Sequence, residues 1–378
     1  MTGQRLLPFL LGLTLLAVPS LRAQSTGGVT ITGTVVDDST GAPLPRTHVF
    51  VSGSMTGTTV GEDGQFHLGG LPTGSKRLYV TRLGYEPVQK TLLFRSDTTV
   101  HFTVRLTPTV IEADEVTVAA ERDDEWYERL SRFKRLFIGE SDRAQRCYLL
   151  NPKVLQFDTA WWGRFEAAAD RALRLENRAL GYRLTYHLKE FEQRSDMVRW
   201  DGEQMFEELT PRDSTEAARW ARNRRRAFRG SVRHFLLALL NGRVEEEQFR
   251  TYRIPRAQAR RRMGRADRIP IPPDQILDSS ADSPSEIHFD GKLVVIYDGE
   301  PESDAFLDWG NLQRAPRDHQ VSHIRLNERA IHVDQHGEIV EPFGATFYGY
   351  FAFTQRVAEL LPREYRPPNT TLTSTARR

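Results

Sequence analysis

The stretch VTITGTVVDDSTGAPLPRTHVFVSG, residues 29–53, decides the fold of the first third of the chain. Val29, Ile31, Gly33 and Val35 alternate with Thr30, Thr32 and Thr34. That period of two gives a strand one buried and one solvated face. Asp38-Ser39-Thr40-Gly41 then reads as a turn, and Val49 to Val51 as the next strand. Working outward, Phe66 to Leu68, Leu78 to Leu83 and the alternating run Val100, Phe102, Val104, Leu106 continue the pattern. They are separated by the turn clusters Gly61-Glu62-Asp63-Gly64 and Pro72-Thr73-Gly74. Short strands with turns this close together predict an all-antiparallel β-sandwich.

The strings ITGTVVDDSTGAPLPRTHVFVSG, TTVGEDGQFHLGGLPTG and LYVTRLGYEP resemble the carboxypeptidase-regulatory-like domain, a transthyretin-like, seven-stranded fold grouped with carbohydrate-binding-like folds. The likeness includes Gly64 before Phe66 and the Gly84-Tyr85 pair. It implies an exported accessory module with a scaffold or binding role, and it brings no catalytic residue. Ile111 to Ala120, acidic and then valine-rich, resembles the segment that precedes a plug and barrel in outer-membrane receptors carrying this domain. A large barrel needs on the order of 22 strands of ~10 residues, more than the chain after Ala120 can supply. An extra strand before a linker is therefore expected, with an accessory role in TonB-dependent transport as an alternative.

The first residues carry Arg5, an apolar run from Leu6 to Val18, and the end Leu21-Arg22-Ala23. Thirteen helical residues reach about 20 Å, short of a ~30 Å hydrocarbon core. Residues 1–23 are expected to be an export signal cleaved before Gln24, leaving no transmembrane span and placing the protein in the periplasm or at the outer membrane and cell surface. The single Cys, Cys147, excludes an internal disulfide and Cys-pair zinc sites.

The expected organisation is a signal at 1–23, the sandwich at 24–108, an acidic linker or extra strand at 109–122, an α+β domain with an antiparallel sheet at 123–366, and a disordered tail at 367–378. A helix is expected over Asp123 to Leu136, with Trp126, Leu130, Phe133 and Phe137 on one apolar face. Strands are expected at Val154 to Phe157, Arg164 to Ala169, Leu173 to Glu176, Tyr182 to Phe191, Met197 to Phe206, Leu293 to Tyr297, Ile324 to Leu326 and Ile331 to Val333. Blocks of strands and helices without regular alternation favour α+β. Pro255 to Pro284 reads as a mobile loop. RGSVRHFLLALLNGRVEEEQF and YGYFAFTQRVAELLPREYRP resemble the C-terminal part of uncharacterised exported proteins of Gram-negative bacteria, for which no activity carries over.

His187-Leu188-Lys189-Glu190 matches the His-x-x-Glu pair of zinc carboxypeptidases, with His288 or His319 downstream. On a strand, however, residues three apart face opposite ways and cannot share one zinc. His319 with His323, and His332 with His336, read as exposed hairpin histidines, and Cys147 as a buried small hydrophobe. No metal, cofactor or catalytic residue is assigned, and a peptidase-related hydrolase is kept as the alternative.

Balanced at 52 basic and 50 acidic residues, the chain is nonetheless segregated in charge. Residues 211–268 carry a net of +11, residues 109–130 carry −6, and residues 269–378 carry −7. One helix is expected from near Asp213 to Asn241-Gly242, with Ala221, Phe228, Val232, Phe235, Leu236 and Leu239 as its core stripe. Arg219, Arg222, Arg226, Arg229 and Arg233 line an adjacent stripe able to grip phosphates or carboxylates. Neutralisation by the acidic parts of the same chain is the alternative, and 46 Arg against 6 Lys marks a general bias towards Arg. Export argues against nucleic acid as a ligand. The chain is thus expected to be a non-catalytic cell-envelope protein that binds a glycan, a lipid headgroup or a protein partner.

Overall fold

The computed structural model describes residues 28–109, 123–160, 163–256, 268–278 and 284–368. The expected signal, the segment 111–120 and nearly all of the tail lie outside these residues.

Seven strands build the N-terminal sandwich: β1 Val29–Asp37, β2 His48–Val51, β3 Gly57–Thr59, β4 Gln65–Leu71, β5 Gly74–Thr81, β6 Val88–Phe94 and β7 Thr99–Leu106. One sheet has the order β4-β1-β7 and the other β3-β2-β5-β6. The alternation of β1 is obeyed along its length, with Val29, Ile31, Gly33 and Val35 turned into the core. Gly33 is in this buried set for want of room: a Cβ there would lie 2.2 Å from the Phe102 carbonyl oxygen. One pair departs from the expected antiparallel pattern, because β1 and β7 run parallel from Thr30↔Thr99 to Asp37↔Leu106. The chain crosses from the second sheet back to the first between β6 and β7, so its last strand arrives in the direction of its first.

The rest of the described chain is α+β. Helix α1, Asp124–Phe137, starts where Asp123 accepts the Trp126 backbone N–H at 2.8 Å. It buries Trp126, Phe133 and Phe137. That face lies on a six-stranded sheet of β8 Cys147–Leu149, β9 Leu155–Thr159, β10 Phe165–Ala169, β11 Leu173–Asn177, β12 Tyr182–Arg194 and β13 Met197–Glu208. Phe133 meets Phe191 at 4.8 Å between ring centroids, and Phe137 meets Tyr186 edge-on at 5.1 Å. Strand β12 is long enough to pair β11 and β10 in turn on one side, while β13 runs along the other.

Two helices follow, α2 Ser214–Phe228 and α3 Val232–Leu240, where one was expected. Gly230 separates them at a φ of +67°, and Ser231 restarts the helix by accepting the His234 backbone N–H. The sequence carries this break as Gly-Ser, but the apolar spacing runs through it. Helix α3 packs on a second sheet, β15-β14-β18-β19-β21, formed by β14 Phe249–Ile254, β15 Ile269–Pro270, β18 Lys292–Tyr297, β19 Gln320–Leu326 and β21 Ala345–Gly349. A small sheet of β16 Leu277–Asp278, β17 Ser285–Ile287 and β20 Ile331–Val333 flanks it. The described parts of the expected loop 255–284 are therefore ordered: β15 and β16 are paired, and Ile276 is fully buried. A two-residue strand is too short to show a period. Short helices α4, Asp304–Trp309, and α5, Tyr350–Thr354, close the far side around Phe306, Tyr350 and Phe353.

The sandwich is fastened to this body. Gly53 N–H donates to the Gln204 carbonyl at 2.7 Å, Phe206 N–H to Ser54 at 2.9 Å, and Arg363 N–H to Gly53 at 2.8 Å. The β2–β3 turn thereby extends the six-stranded sheet beyond β13. The C-terminal segment that supplies Arg363 is itself tied to the body, with Ala358 N–H on the Ile138 carbonyl and the Asn177 amide on the Ala358 carbonyl.

Candidate functional site

Helix α2 is positioned by its inner face. Asp213 caps it, accepting the Glu216 backbone N–H at 2.8 Å, and Glu216 reaches back to the Arg212 backbone N–H at 2.9 Å. Three side chains then grip the Arg178–Gly181 turn. Trp220 donates to the Arg178 carbonyl at 2.9 Å, Asn223 to Ala179 at 2.9 Å, and Arg224 to Leu180 at 2.7 Å. Gly181, at a φ of +74°, lets the turn approach the helix, since a Cβ there would lie 2.3 Å from the Trp220 ring. The inward set is Trp220, Asn223, Arg224, Ala227 and Phe228, whereas Ala221, expected in the core, is exposed.

Two residues along a helix is about 200° of turn, so Arg222 lies opposite Trp220. Arg222, Arg225 and Arg226 occupy i, i+3 and i+4 of this outer face, and Arg229, which caps the C-terminus of the helix, follows at i+7. Arg222, Arg226 and Arg229 are exposed and Arg225 is half-buried. Among the described residues none of the four lies within ion-pair distance of a carboxylate. Their neighbours differ: Glu216 pairs with Arg212 at 3.1 Å and Arg219 at 2.8 Å, and Arg224 pairs with Glu208 at 2.6 Å.

The expected stripe is thus divided. Arg219 is spent on Glu216. Arg233 belongs to α3 and points inward, donating to the carbonyls of His336 at 3.1 Å, Pro362 at 2.9 Å and Tyr365 at 3.1 Å, and also to that of Arg363. Burial, with Arg366 nearby, lowers its pKa to about 10. With four of its five N–H donors so occupied inside the fold, this guanidinium is turned away from any ligand of the row. The Gly230 break turned it away from the row, and the uninterrupted helical spacing concealed that. Arg225, outside the expected stripe, joins the row, and its spacing of three from Arg222 and four from Arg229 is the signal in the sequence that marks it.

Two groups flank the row. Tyr365, half-buried against Phe228, lies in the field of Arg225 and Arg229, with burial raising its phenol pKa. Glu300, beyond β18, lies in the field of Arg229, Arg226 and Arg143, and burial still holds its carboxyl above the usual range. Nothing in the sequence around Glu300 connects it to α2, which it meets because the Gly230 turn abuts Tyr297.

The histidines are distributed otherwise than a metal centre requires. His187 is packed against Phe50 and Tyr79 of the sandwich at 5.8 and 5.2 Å, and burial depresses its pKa to about 4. Glu190 turns away to Arg199 at 2.8 Å. His319 pairs with Asp318 at 2.6 Å, and His332 with Glu341. Two expectations of exposed hairpin histidines fail. Burial brings His323 to about 4, and His336 is 5% exposed, with burial, Arg363 and Lys76 driving it to about 2. The hairpin carrying His336 is pressed into the junction with the sandwich, a tertiary contact that its turn-like sequence does not announce. The Cys147 thiol is buried and pushed up to about 12. Among the described residues no three His, Cys, Asp or Glu side chains converge to hold a metal ion.

No curated protein matches the sequence. Solved structures with local likeness include a type II cohesin–X-dockerin complex from Acetivibrio cellulolyticus, at 20% identity and a TM-score of 0.18, covering 21% of this chain and 57% of that one. The pilus 2b backbone protein of group B streptococcus matches at 19% identity and a TM-score of 0.20, covering 22% and 42%. A candidate carbohydrate-binding protein from Bacteroides uniformis matches at 8% identity and a TM-score of 0.19, covering 48% and 100%. This chain spans about half the length of the first two, and at such TM-scores none of the three bears on fold or function. The decisive match is to a family: residues 31–118 fit the CarboxypepD_reg-like domain, so the N-terminal sandwich is a carboxypeptidase-regulatory-like domain.

Proposed function

We propose that this is an exported, non-catalytic cell-envelope protein that binds an acidic envelope component, with the carboxypeptidase-regulatory-like sandwich as a fixed scaffold. The observation that carries the reading is how the sandwich is used. Its β2–β3 turn is hydrogen-bonded into the edge of the body, and its Arg77 meets Glu203 of β13, which is fully buried, at 3.0 Å. Lys189 completes that pair at 2.6 Å. Reach and orientation are thereby fixed, which suits a module that presents the rest of the chain to a partner. The basic segment 211–268 supports an acidic ligand, and the apolar run Leu6 to Val18 supports export.

The test is made on the full chain, residues 1–378, expressed with its leader and purified from the envelope fraction. Binding to an acidic polysaccharide such as polygalacturonate, with an amino terminus at Gln24, is the expected result. Stoichiometric zinc that disappears in His187→Ala would overturn the non-catalytic reading, as would processing that leaves the chain in the cytosol.

A further inference from the structure

We propose that the outer face of α2 is a binding site for a linear anionic glycan, held by Arg222, Arg225, Arg226 and Arg229. This assignment rests on the envelope-binding reading and names the site and ligand chemistry that the reading leaves open.

The first argument is the cost of the row. Arg222 with Arg225, Arg222 with Arg226, Arg225 with Arg229 and Arg226 with Arg229 are like-charge neighbours at three or four residues. Each such pair costs a helix about 0.2–0.5 kcal/mol. A helix C-terminus welcomes cations in its last turn, which covers Arg225, Arg226 and the capping Arg229 but not Arg222. The same helix pairs Arg219 and Arg224 with carboxylates and leaves these four without one among the described residues. A bound polyanion would remove the repulsion, and guanidinium forks match carboxylates and sulfates two bonds at a time.

The second argument is shape. Along the axis the row spans about 10 Å, with steps of about 4.5 and 6 Å. A line of charges fits a chain carrying an acidic group on successive sugars better than it fits a single small anion. Tyr365, half-buried against Phe228, lies near Arg225 and Arg229.

The third argument selects a glycan over a bilayer. A helix that lies on a membrane carries large apolar side chains beside its basic ones. The exposed remainder of α2 is Ser214, Thr215, Ala217, Ala218 and Ala221. The large exposed hydrophobics, such as Leu83, Tyr148 and Met197, belong to other elements. Glu300 adds a selectivity element, since its carboxylate lies in the field of Arg226 and Arg229 and opposes an anion at that end of the row.

The experiment measures binding of residues 24–378 to polygalacturonate, to neutral dextran and to phosphatidylglycerol vesicles, at low and raised salt. The wild type is expected to bind polygalacturonate and not dextran, and to lose affinity as salt screens the charges. Arg222→Glu with Arg229→Glu is expected to weaken binding about tenfold or more, equivalent to ~1.4 kcal/mol, at unchanged thermal stability. Arg222→Lys with Arg229→Lys should retain part of the affinity, and Glu300→Gln should tighten it. If the wild type binds none of the three probes, the binding reading falls and this site with it. If the wild type binds polygalacturonate and the charge-reversed variant binds it equally, the binding reading stands and the α2 site is wrong. Preference for vesicles over polygalacturonate would overturn the glycan.

Discussion

The junction between sandwich and body and the outer face of α2 treat charge in opposite ways. In the junction, Arg77 and Lys189 share Glu203, Arg363 meets Asp334 and Glu338, and the 2% exposed Lys76 donates to the Thr73 carbonyl at 3.0 Å. Along α2 and its C-cap, three exposed guanidiniums and the half-buried one of Arg225 have no carboxylate partner among the described residues. The difference follows from solvation. A buried charge without partners costs several kcal/mol, so the junction cannot form unless its charges are matched. At the surface water supplies the solvation and an ion pair adds at most about 1 kcal/mol. Pairing in the junction is thus a condition of folding, whereas its absence on α2 leaves those groups available.

The largest effect should come from breaking the junction. Glu203→Ala removes the shared partner of Arg77 and Lys189, both about a third exposed, and is expected to cost about 2–3 kcal/mol in urea unfolding. A loss below 1 kcal/mol would mean that the junction is held by its backbone hydrogen bonds alone. Next comes the anchor of α2. Gly181→Ala forces a methyl into the Trp220 ring at a backbone angle that disfavours side chains, with an expected loss of about 1–3 kcal/mol. Unaltered stability would show that α2 does not depend on that turn.

Acid should act on the junction through His187. Its folded pKa is about 4 against about 6.5 when unfolded. The unfolded chain therefore takes up the proton first as pH falls, and the contribution of His187 declines from about pH 6.5 to 4 and then levels off, while that of His336, held at about 2 in the same junction, goes on declining below pH 4. Solvent access limits the effect to about 1–2 kcal/mol. His323 titrates in the same window, so His187→Gln should lessen the decline without abolishing it. An identical pH profile for His187→Gln and wild type would remove His187 from this role. The smallest effect belongs to the other region. Arg222→Glu with Arg229→Glu should change stability by no more than about 0.5 kcal/mol; a larger loss would mean that the row takes part in the fold.

Local pattern made much of this legible. The sandwich strands, the face of α1 formed by Trp126, Phe133 and Phe137, and the hairpin strands β12 and β13 follow from spacing and turn residues, because each depends on neighbours a few positions away. The break at Gly230 was half-visible: the glycine was present, but apolar residues continued on both sides. The burial of His336 and the approach of Glu300 to Arg226 and Arg229 left no local trace.

The sequence by itself determined a sandwich with the carboxypeptidase-regulatory-like pattern, an α+β remainder, and a helix rich in arginine. Which arginines are left without a carboxylate among the described residues was decided only by the tertiary structure, because that depends on where carboxylates and carbonyls from distant segments come to lie. Glu208 reaches Arg224 across 16 positions, and the carbonyls that hold Arg233 lie more than 100 positions away. Charges interact through space, and only the folded chain sets those distances.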